Sequence, residues 1–491
     1  MMTDDLIELR REVGALRETI SRAAVVRLEA WRDWMDCEDF AASAENFAHY
    51  LALRRHDIRP LQRKLMRFGL SSLGRVESKV LPELDQVIAI LDALINGAQF
   101  APASEAAFFA GQNRISERAR RIFGPLTDHG PVGLLVTMPS LAAQDPGFCE
   151  KLAAAGVEAV RINCAHDDPE IWRRMIAHVD AAVGTVGRRM KILMDLAGPK
   201  IRTGALRDEK GQKRVRLGDS FALCFPGRLG MVPSGQPAIE CSLAEPIEAL
   251  ALGHRVFVDD GKLSTRVIAR EDWGVKLHAE IAPLEKGYKL KPEKGLNFPD
   301  CALNIPALTE ADQEALRFAA EHADGIEFSF VQELQDVELL QSLLAEIRPD
   351  DWHELSLVLK IETERAVRNL PDMLVRAAGR QPTAVMIARG DLAVEIGFAR
   401  LAEIQEEILW LCEAAQVPVI WATQVLESFL KTGLPTRGEM TDAAMGARAE
   451  CVMLNKGPYL FEAIGELDHL FGRMATHMNK KTPQLRALKS W

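Results

Sequence analysis

Apolar residues recur three or four positions apart in DLIELRREVGALRETI and again in VLPELDQVIAILDALI, the period of helices with one buried stripe. Between them lies NFAHYLALRRHDIRPLQRKLMRFGLSSLGRVESKV, where Pro60 is expected to end or kink a helix and Ser71 or Ser72 to cap the next. The following GQNRISERARRIFGPLTDHGP mixes charge with Gly and Pro and reads as an exposed connection. Residues 1–130 are therefore expected to form an N-terminal helical domain.

From Val132 the pattern changes. Short apolar runs appear in GLLVTM, VEAVRIN, KILMDL, DGIEFSF, LSLVLKIE, AVMIARG, VPVIWAT and CVMLN, and helix-like stretches separate most of them. Continuous apolar runs suit strands covered on both faces, and eight strand-helix units predict an α/β fold, a (β/α)₈ barrel. From Ala205 to Lys291 the rhythm breaks into polar-apolar alternation with Gly-containing turns, in RVRLGDSFALCF, HRVFVDDGKLSTRVIA and WGVKLHAEI. The expected architecture is a barrel over 131–204 and 292–480, a small inserted β-barrel lid domain over 205–291, the helical domain, and a tail over 481–491.

Composition narrows the function. The chain has 491 residues, 48% of them hydrophobic and 26% charged, and no run approaches the roughly 20 apolar residues of a membrane span. A formal net charge of −10 opposes nucleic-acid binding. Eight cysteines lack a CxxC pair or a regular framework, so they read as reduced and packed. The first residues lack the basic start and apolar core of a secretory signal, and cytoplasmic residence is the default expectation.

Polar residues gather at the predicted strand ends: Arg161 and Asn163, Asp195, Ser329, Lys360 with Glu362, Arg389 with Asp391, and Thr423. Charges embedded in apolar runs cost several kcal/mol unless paired or bound to metal, so convergence on one pocket at the barrel mouth is expected. Strand periodicity puts Lys360 and Glu362 on one side, and an internal Lys-Glu ion pair is the plain alternative. Two carboxylates with few histidines suit a hard cation such as Mg²⁺, and Asp391 follows a glycine that admits close approach of a ligand.

These segments resemble the pyruvate kinases, in that family's order. The matches are Lys360-Ile361-Glu362, ARGDL from Ala388, WATQVLES from Trp421, PTRGE from Pro435, RINCAH from Arg161, DLAGPKIRTG from Asp195, VFVDDG from Val256 and KGLNFP from Lys294. The resemblance implies Mg²⁺- or Mn²⁺-dependent phosphoryl transfer from phosphoenolpyruvate to ADP, giving pyruvate and ATP. It assigns the metal to Glu362 and Asp391 and charge stabilisation in the transfer to Lys360, and counts Arg161 as a catalytic residue toward the nucleotide phosphates. Thr423 then lies near the carbon that is protonated. The substrate side comprises Arg389, Gly390, Asp391, Thr423, Lys360 and Ser329, and the nucleotide side Asn163, His166, Arg202, Lys294 and Asp260.

Several positions depart from the family pattern. Ala165, Leu196, Ala197 and Lys200 stand where many members carry monovalent-cation ligands and neighbours, so the Lys200 ammonium is expected to replace K⁺. MLNKGPYL replaces a Ser-Gly-Glu-Thr turn, with no role assigned to Lys456, and VTMPSLAA replaces a Thr-Ile-Gly-Pro-Ala-Ser turn, which bears on adenine-side geometry. The chain stops near Trp491, so regulation through a C-terminal effector domain is not expected, and a homo-oligomer, a dimer before a tetramer, is. A catalytically altered regulatory homologue and a metal-enolate barrel lyase are the competing readings. The joint presence of Arg202 and Lys294 with a lid favours a nucleotide partner.

Overall fold

The structure, a computed structural model, describes residues 2–97, 99–126, 131–207, 214–301, 303 and 305–484. Eight parallel strands close into a barrel: β1 (Gly133–Thr137), β2 (Ala159–Asn163), β3 (Lys191–Asp195), β4 (Gly325–Phe328), β5 (Ser356–Ile361), β6 (Thr383–Ala388), β7 (Val419–Ala422) and β8 (Cys451–Leu454). β1 pairs with both β2 and β8, which closes the ring. All eight coincide with the predicted apolar runs, because each strand is covered on both faces. On β5, Leu357, Leu359 and Ile361 pack in the core shared with the helices, while Val358 belongs to the barrel interior with Leu135, Leu193, Met386 and Ile420.

The N-terminal segment is helical, with α1 (Met2–Trp31), α2 (Glu38–Leu53), α3 (Arg59–Arg67), α4 (Val80–Asn96) and α5 (Ala110–Phe123). Three local expectations fail. Pro60 opens α3 instead of ending a helix, since its missing N–H costs nothing in a first turn. Neither Ser71 nor Ser72 caps α4, whose N-cap is Lys79 with no side-chain bond; the Ser71 hydroxyl donates to Glu83 instead. The supposed exposed connection is mostly α5, with Ile115, Ile122 and Phe123 buried; residues 127–130 lie outside the described ones. Ile122 and Phe123 join the barrel-interior cluster, so α5 stops the end of the barrel opposite the mouth.

These helices do not stand apart from the barrel. Leu9, Phe47 and Leu84 belong to the same hydrophobic core as Leu374 and Ile408. The Trp31 indole donates to Asp372 at 3.0 Å, and the N–H groups of Asp36 and Cys37 donate to the Gly379 carbonyl at 2.9 and 2.8 Å. Buried Gln416 ties the seam: its Oε1 accepts from Ser43 at 2.7 Å and from Arg114 at 2.6 Å.

Between β3 and β4 the chain makes a seven-stranded sheet with its own core, including Phe221, Val256, Val275 and Leu277. Most neighbours are antiparallel, but Ser220–Cys224 and Ala238–Cys241 run parallel. A bridge between Arg202 and Gly295 brings the two edge strands together, so the sheet curls into a barrel-like unit. Thr203–Arg207 and Leu296–Asn297 contribute strands to it as well. All eight cysteines are free, and no described helix is long and apolar enough to cross a membrane. Of the expected tail, residues 485–491 lie outside the described ones.

Candidate active site

The inner face of each early strand switches from apolar to polar as it approaches the mouth. Two-residue periodicity carries Leu135 to Thr137 on β1, Ala159 to Arg161 on β2, Leu193 to Asp195 on β3 and Val358 to Lys360 on β5. On β4 the same face bears Glu327 and, just past the strand end, Ser329; beyond β5 it bears Glu362.

These side chains meet. Lys360 Nζ donates to Asp195 Oδ1 at 2.9 Å and Oδ2 at 3.0 Å, and to Ser329 Oγ at 2.5 Å. Its distance to Glu362 Oε1 is longer, 3.5 Å, so the principal partner of Lys360 is Asp195, not the residue two places away. Arg161 donates from Nε to Asp195 at 2.9 Å and to Glu327 at 3.1 Å, makes a second bond to Asp195 from Nη2, and donates to Thr137 Oγ1 at 3.0 Å. Ser329 Oγ donates to Asp195 Oδ1 at 2.9 Å. Glu362 Oε2 accepts from the Phe330 N–H at 2.6 Å, with Phe330 in the left-handed region at φ 55°.

Burial works against every charge here, and the partners decide the outcome. It opposes the Lys360 ammonium, but Asp195 and Glu362 outweigh it and hold the proton above the ordinary range. Asp195 is desolvated too, yet Arg161 and Lys360 keep its carboxyl below the usual value. Burial beside Asp195 instead pushes Glu327 up to about 7, and burial with the Asp391 carboxylate nearby raises Glu362. Two cations thus face three buried carboxylates, Asp195, Glu327 and Glu362, with Asp391 adding a further negative charge near Glu362. Among the described residues no three His, Cys, Asp or Glu side chains are gathered to hold an ion. Two carboxylates completed by substrate oxygens and water is the donor set Mg²⁺ accepts, and the proximity of Glu362 to Asp391 fits such a cation.

Asp391 lies in the first turn of the helix Arg389–Ile396 and pairs with Lys200 Nζ at 3.0 and 3.2 Å. Lys200 has room because Gly295 faces it; an added Cβ there would stand 3.2 Å from Lys200 Cε. Lys200 and Asp391, with Phe330, line a cleft of about 510 Å³ between the barrel mouth and the base of the inserted sheet. Asp260 approaches from that sheet; burial raises its carboxyl while Lys200 acts in the opposite sense. Thr423 Oγ1 accepts the Gly390 N–H at 2.7 Å. Thr423, Gln424 and Leu426 all have positive φ, which makes a tight turn after β7.

The Arg389 guanidinium does not join this group. It stacks on Trp421 with 4.4 Å to the ring centroid, donates to the carbonyls of Ala422 and Thr423 at 2.9 and 2.8 Å, and pairs with Asp442. Asn163 Oδ1 accepts the Ala165 N–H at 3.0 Å and so shapes its own loop. Burial lowers the His166 imidazole, with Lys456 the next cause, which places Lys456 on the same rim. Arg202 Nη1 donates to the Glu293 carbonyl at 3.3 Å, and Lys294 pairs with Asp259 at 3.3 Å, both where the inserted sheet joins the barrel. Neither the bridging role of Asp195 nor the place of Glu327 is among the sequence expectations, although an acid inside the apolar run DGIEFSF is a visible signal.

A family model described as pyruvate kinase, barrel domain, matches residues 132–464. Pyruvate kinase 2 of Trypanosoma brucei brucei is 30% identical over 352 residues, covering 70% of this chain and 67% of its own. A pyruvate kinase of Geobacillus stearothermophilus is 32% identical, covering 64% of this chain and 52% of the relative, and pyruvate kinase PKLR of Homo sapiens 29% identical, covering 66% and 56%. The chain thus spans from about half to two thirds of the length of these relatives. The matched region holds the whole barrel ring and the polar layer at its mouth, and the chain belongs to the pyruvate kinase family.

Proposed function

We propose that this protein is a pyruvate kinase that transfers the phosphoryl group of phosphoenolpyruvate to ADP, with Mg²⁺ or Mn²⁺ held by Glu362 and Asp391. The observation that carries the reading is the Lys360 ammonium, kept charged inside the barrel mouth by Asp195 and set 3.5 Å from Glu362. In the reaction the bond between the enol oxygen and phosphorus breaks, and a terminal oxygen of ADP bonds to phosphorus. The electron pair left on the enol oxygen makes an enolate, whose methylene carbon takes a proton to give pyruvate. Negative charge thus builds on the transferred oxygens and on the enolate, and a fixed cation aimed there lowers the barrier without a covalent intermediate.

Each group has a part that suits its surroundings. Lys360 faces the transferred oxygens, and Asp195, Arg161 and Ser329 fix its position. A bound divalent ion supplies additional positive charge and orients oxygen ligands. The Gly390 region receives the substrate carboxylate through backbone N–H groups at the start of its helix, and Thr423 stands beside it near the carbon to be protonated. Arg389 supports that turn from behind. Asn163, His166, Arg202, Lys294 and Asp260 border the nucleotide side, where closure of the inserted sheet would exclude water.

The test is a steady-state assay on the purified chain. Pyruvate release from phosphoenolpyruvate is expected to need both ADP and Mg²⁺ or Mn²⁺. Lys360→Met should lower kcat by at least about 10²-fold, the scale of losing one electrostatic stabiliser, while metal binding persists. Pyruvate formation that ignores ADP would point to a lyase or phosphatase and overturn the reading.

A further inference from the structure

A second cavity, of about 620 Å³, lies far from the mouth, where α2 and α5 meet the loop leading into β6. Its size is that of an ordinary small-molecule pocket. Arg114, Arg118 and Arg380 line it, and Phe40 and Trp352 supply aromatic wall.

Arg114 and Arg118 stand one helical turn apart on α5, where like charges repel. Neither forms an ion pair with a carboxylate among the described residues. Arg118 spends its guanidinium on the carbonyls of Gln416 at 2.8 Å and Asp39 at 2.9 Å, and its face lies 5.3 Å from the Phe40 ring centroid. Arg114 donates to the Gln416 amide oxygen. Burial and the neighbouring Arg114 charge push Arg118 down to about 10, which marks a cation short of compensation. Arg380 pairs with Asp36 at 3.0 Å, yet its buried Nε has no acceptor. The other acids on the lining, Asp39 and Glu117, are exposed. The interior of the cavity is therefore cationic, with spare donors and an aromatic wall.

We infer that this cavity binds a small phosphate-bearing molecule with an apolar or ring-shaped body, at a site separate from the barrel mouth. Its phosphate would neutralise Arg114 and Arg118 together, with Arg380 adding positive charge to the wall, as doubly charged oxyanions do with arginine clusters. The inference stands apart from the proposed reaction, since no residue of the mouth takes part in it.

Calorimetric titration of the full chain with phenyl phosphate tests it, with phenol as the control lacking the anion. Saturable binding of phenyl phosphate but not phenol is expected. Arg114→Gln and His353→Glu, the second placing a carboxylate at an exposed lining residue, should each weaken that binding at least ten-fold, about 1.4 kcal/mol. Lys360→Met should leave it unchanged, and circular dichroism confirms that each variant is folded. Absence of saturable binding to the native chain overturns the inference. So does binding that Lys360→Met abolishes and both cavity variants keep, because that places the ligand at the mouth.

Discussion

Desolvation by the barrel disfavours an ammonium at Lys360, and Asp195, accepting from it at 2.9 Å while bridging to Arg161, reverses that preference. Asp195 therefore bonds two buried cations at once, and Asp195→Asn leaves Arg161 only Glu327 and Lys360 only the more distant Glu362 as a charged partner. Removing one partner from such a group costs about 3–5 kcal/mol, whereas Ser329→Ala, which deletes a neutral partner, is expected to cost about 1 kcal/mol. Urea unfolding of both variants checks the ratio; equal losses would mean that Asp195 is not the electrostatic keystone. Lys200 sits one residue group away, paired to Asp391 at 3.0 Å. If its ammonium supplies the charge that K⁺ provides elsewhere in the family, turnover with K⁺ and with a tetramethylammonium salt should be equal, and a strong demand for K⁺ refutes it. The sequence showed Lys360 and Glu362 sharing a strand face, but the nearer partner, Asp195, is remote in the chain and only barrel closure brings it there.

The eight barrel strands were legible because burial on both faces writes an uninterrupted apolar run, and the inserted sheet because its alternation marks one face toward a core. α5 was misread because its arginines look like solvent-facing charge. In the structure Arg114 and Arg118 bond across the seam, while Ile122 and Phe123, at the helix end, close the barrel. Gly111 on the same helix reports how tight that seam is: a Cβ there would lie 2.1 Å from the Ser78 carbonyl oxygen. Gly111→Ala must push α5 from its neighbours and is expected to cost about 1–3 kcal/mol, as overpacking of a filled core does. A thermal melt unchanged from that of the native chain would show that α5 docks loosely. Pro60 misled for a related reason, since a proline that breaks a helix and one that starts it read alike until the flanking turn is known.

One hydrophobic core runs from α1 through the barrel helices, so the helical segment and the barrel are expected to unfold together. Glu413, on the barrel helix Phe398–Ala415 at that junction, ties this to pH. Burial pushes its carboxyl up to about 7 against an ordinary 4.5, so the folded chain binds a proton that the unfolded chain has released between those values. Stability should therefore fall as pH rises from about 4.5 to 7, by up to about 3 kcal/mol from this group, and stay level above. Glu413→Gln should lessen that slope, leaving the share of Glu327, which burial raises into the same window; an unaltered slope would assign it to other groups. The proposed reaction is defined by the destination of the phosphoryl group. Phosphorus NMR of the purified protein with phosphoenolpyruvate, ADP and Mg²⁺ follows it directly. The enol-phosphate signal is expected to be replaced by the three signals of ATP, one ATP for each pyruvate, and free inorganic phosphate with no ATP would contradict the proposed transfer.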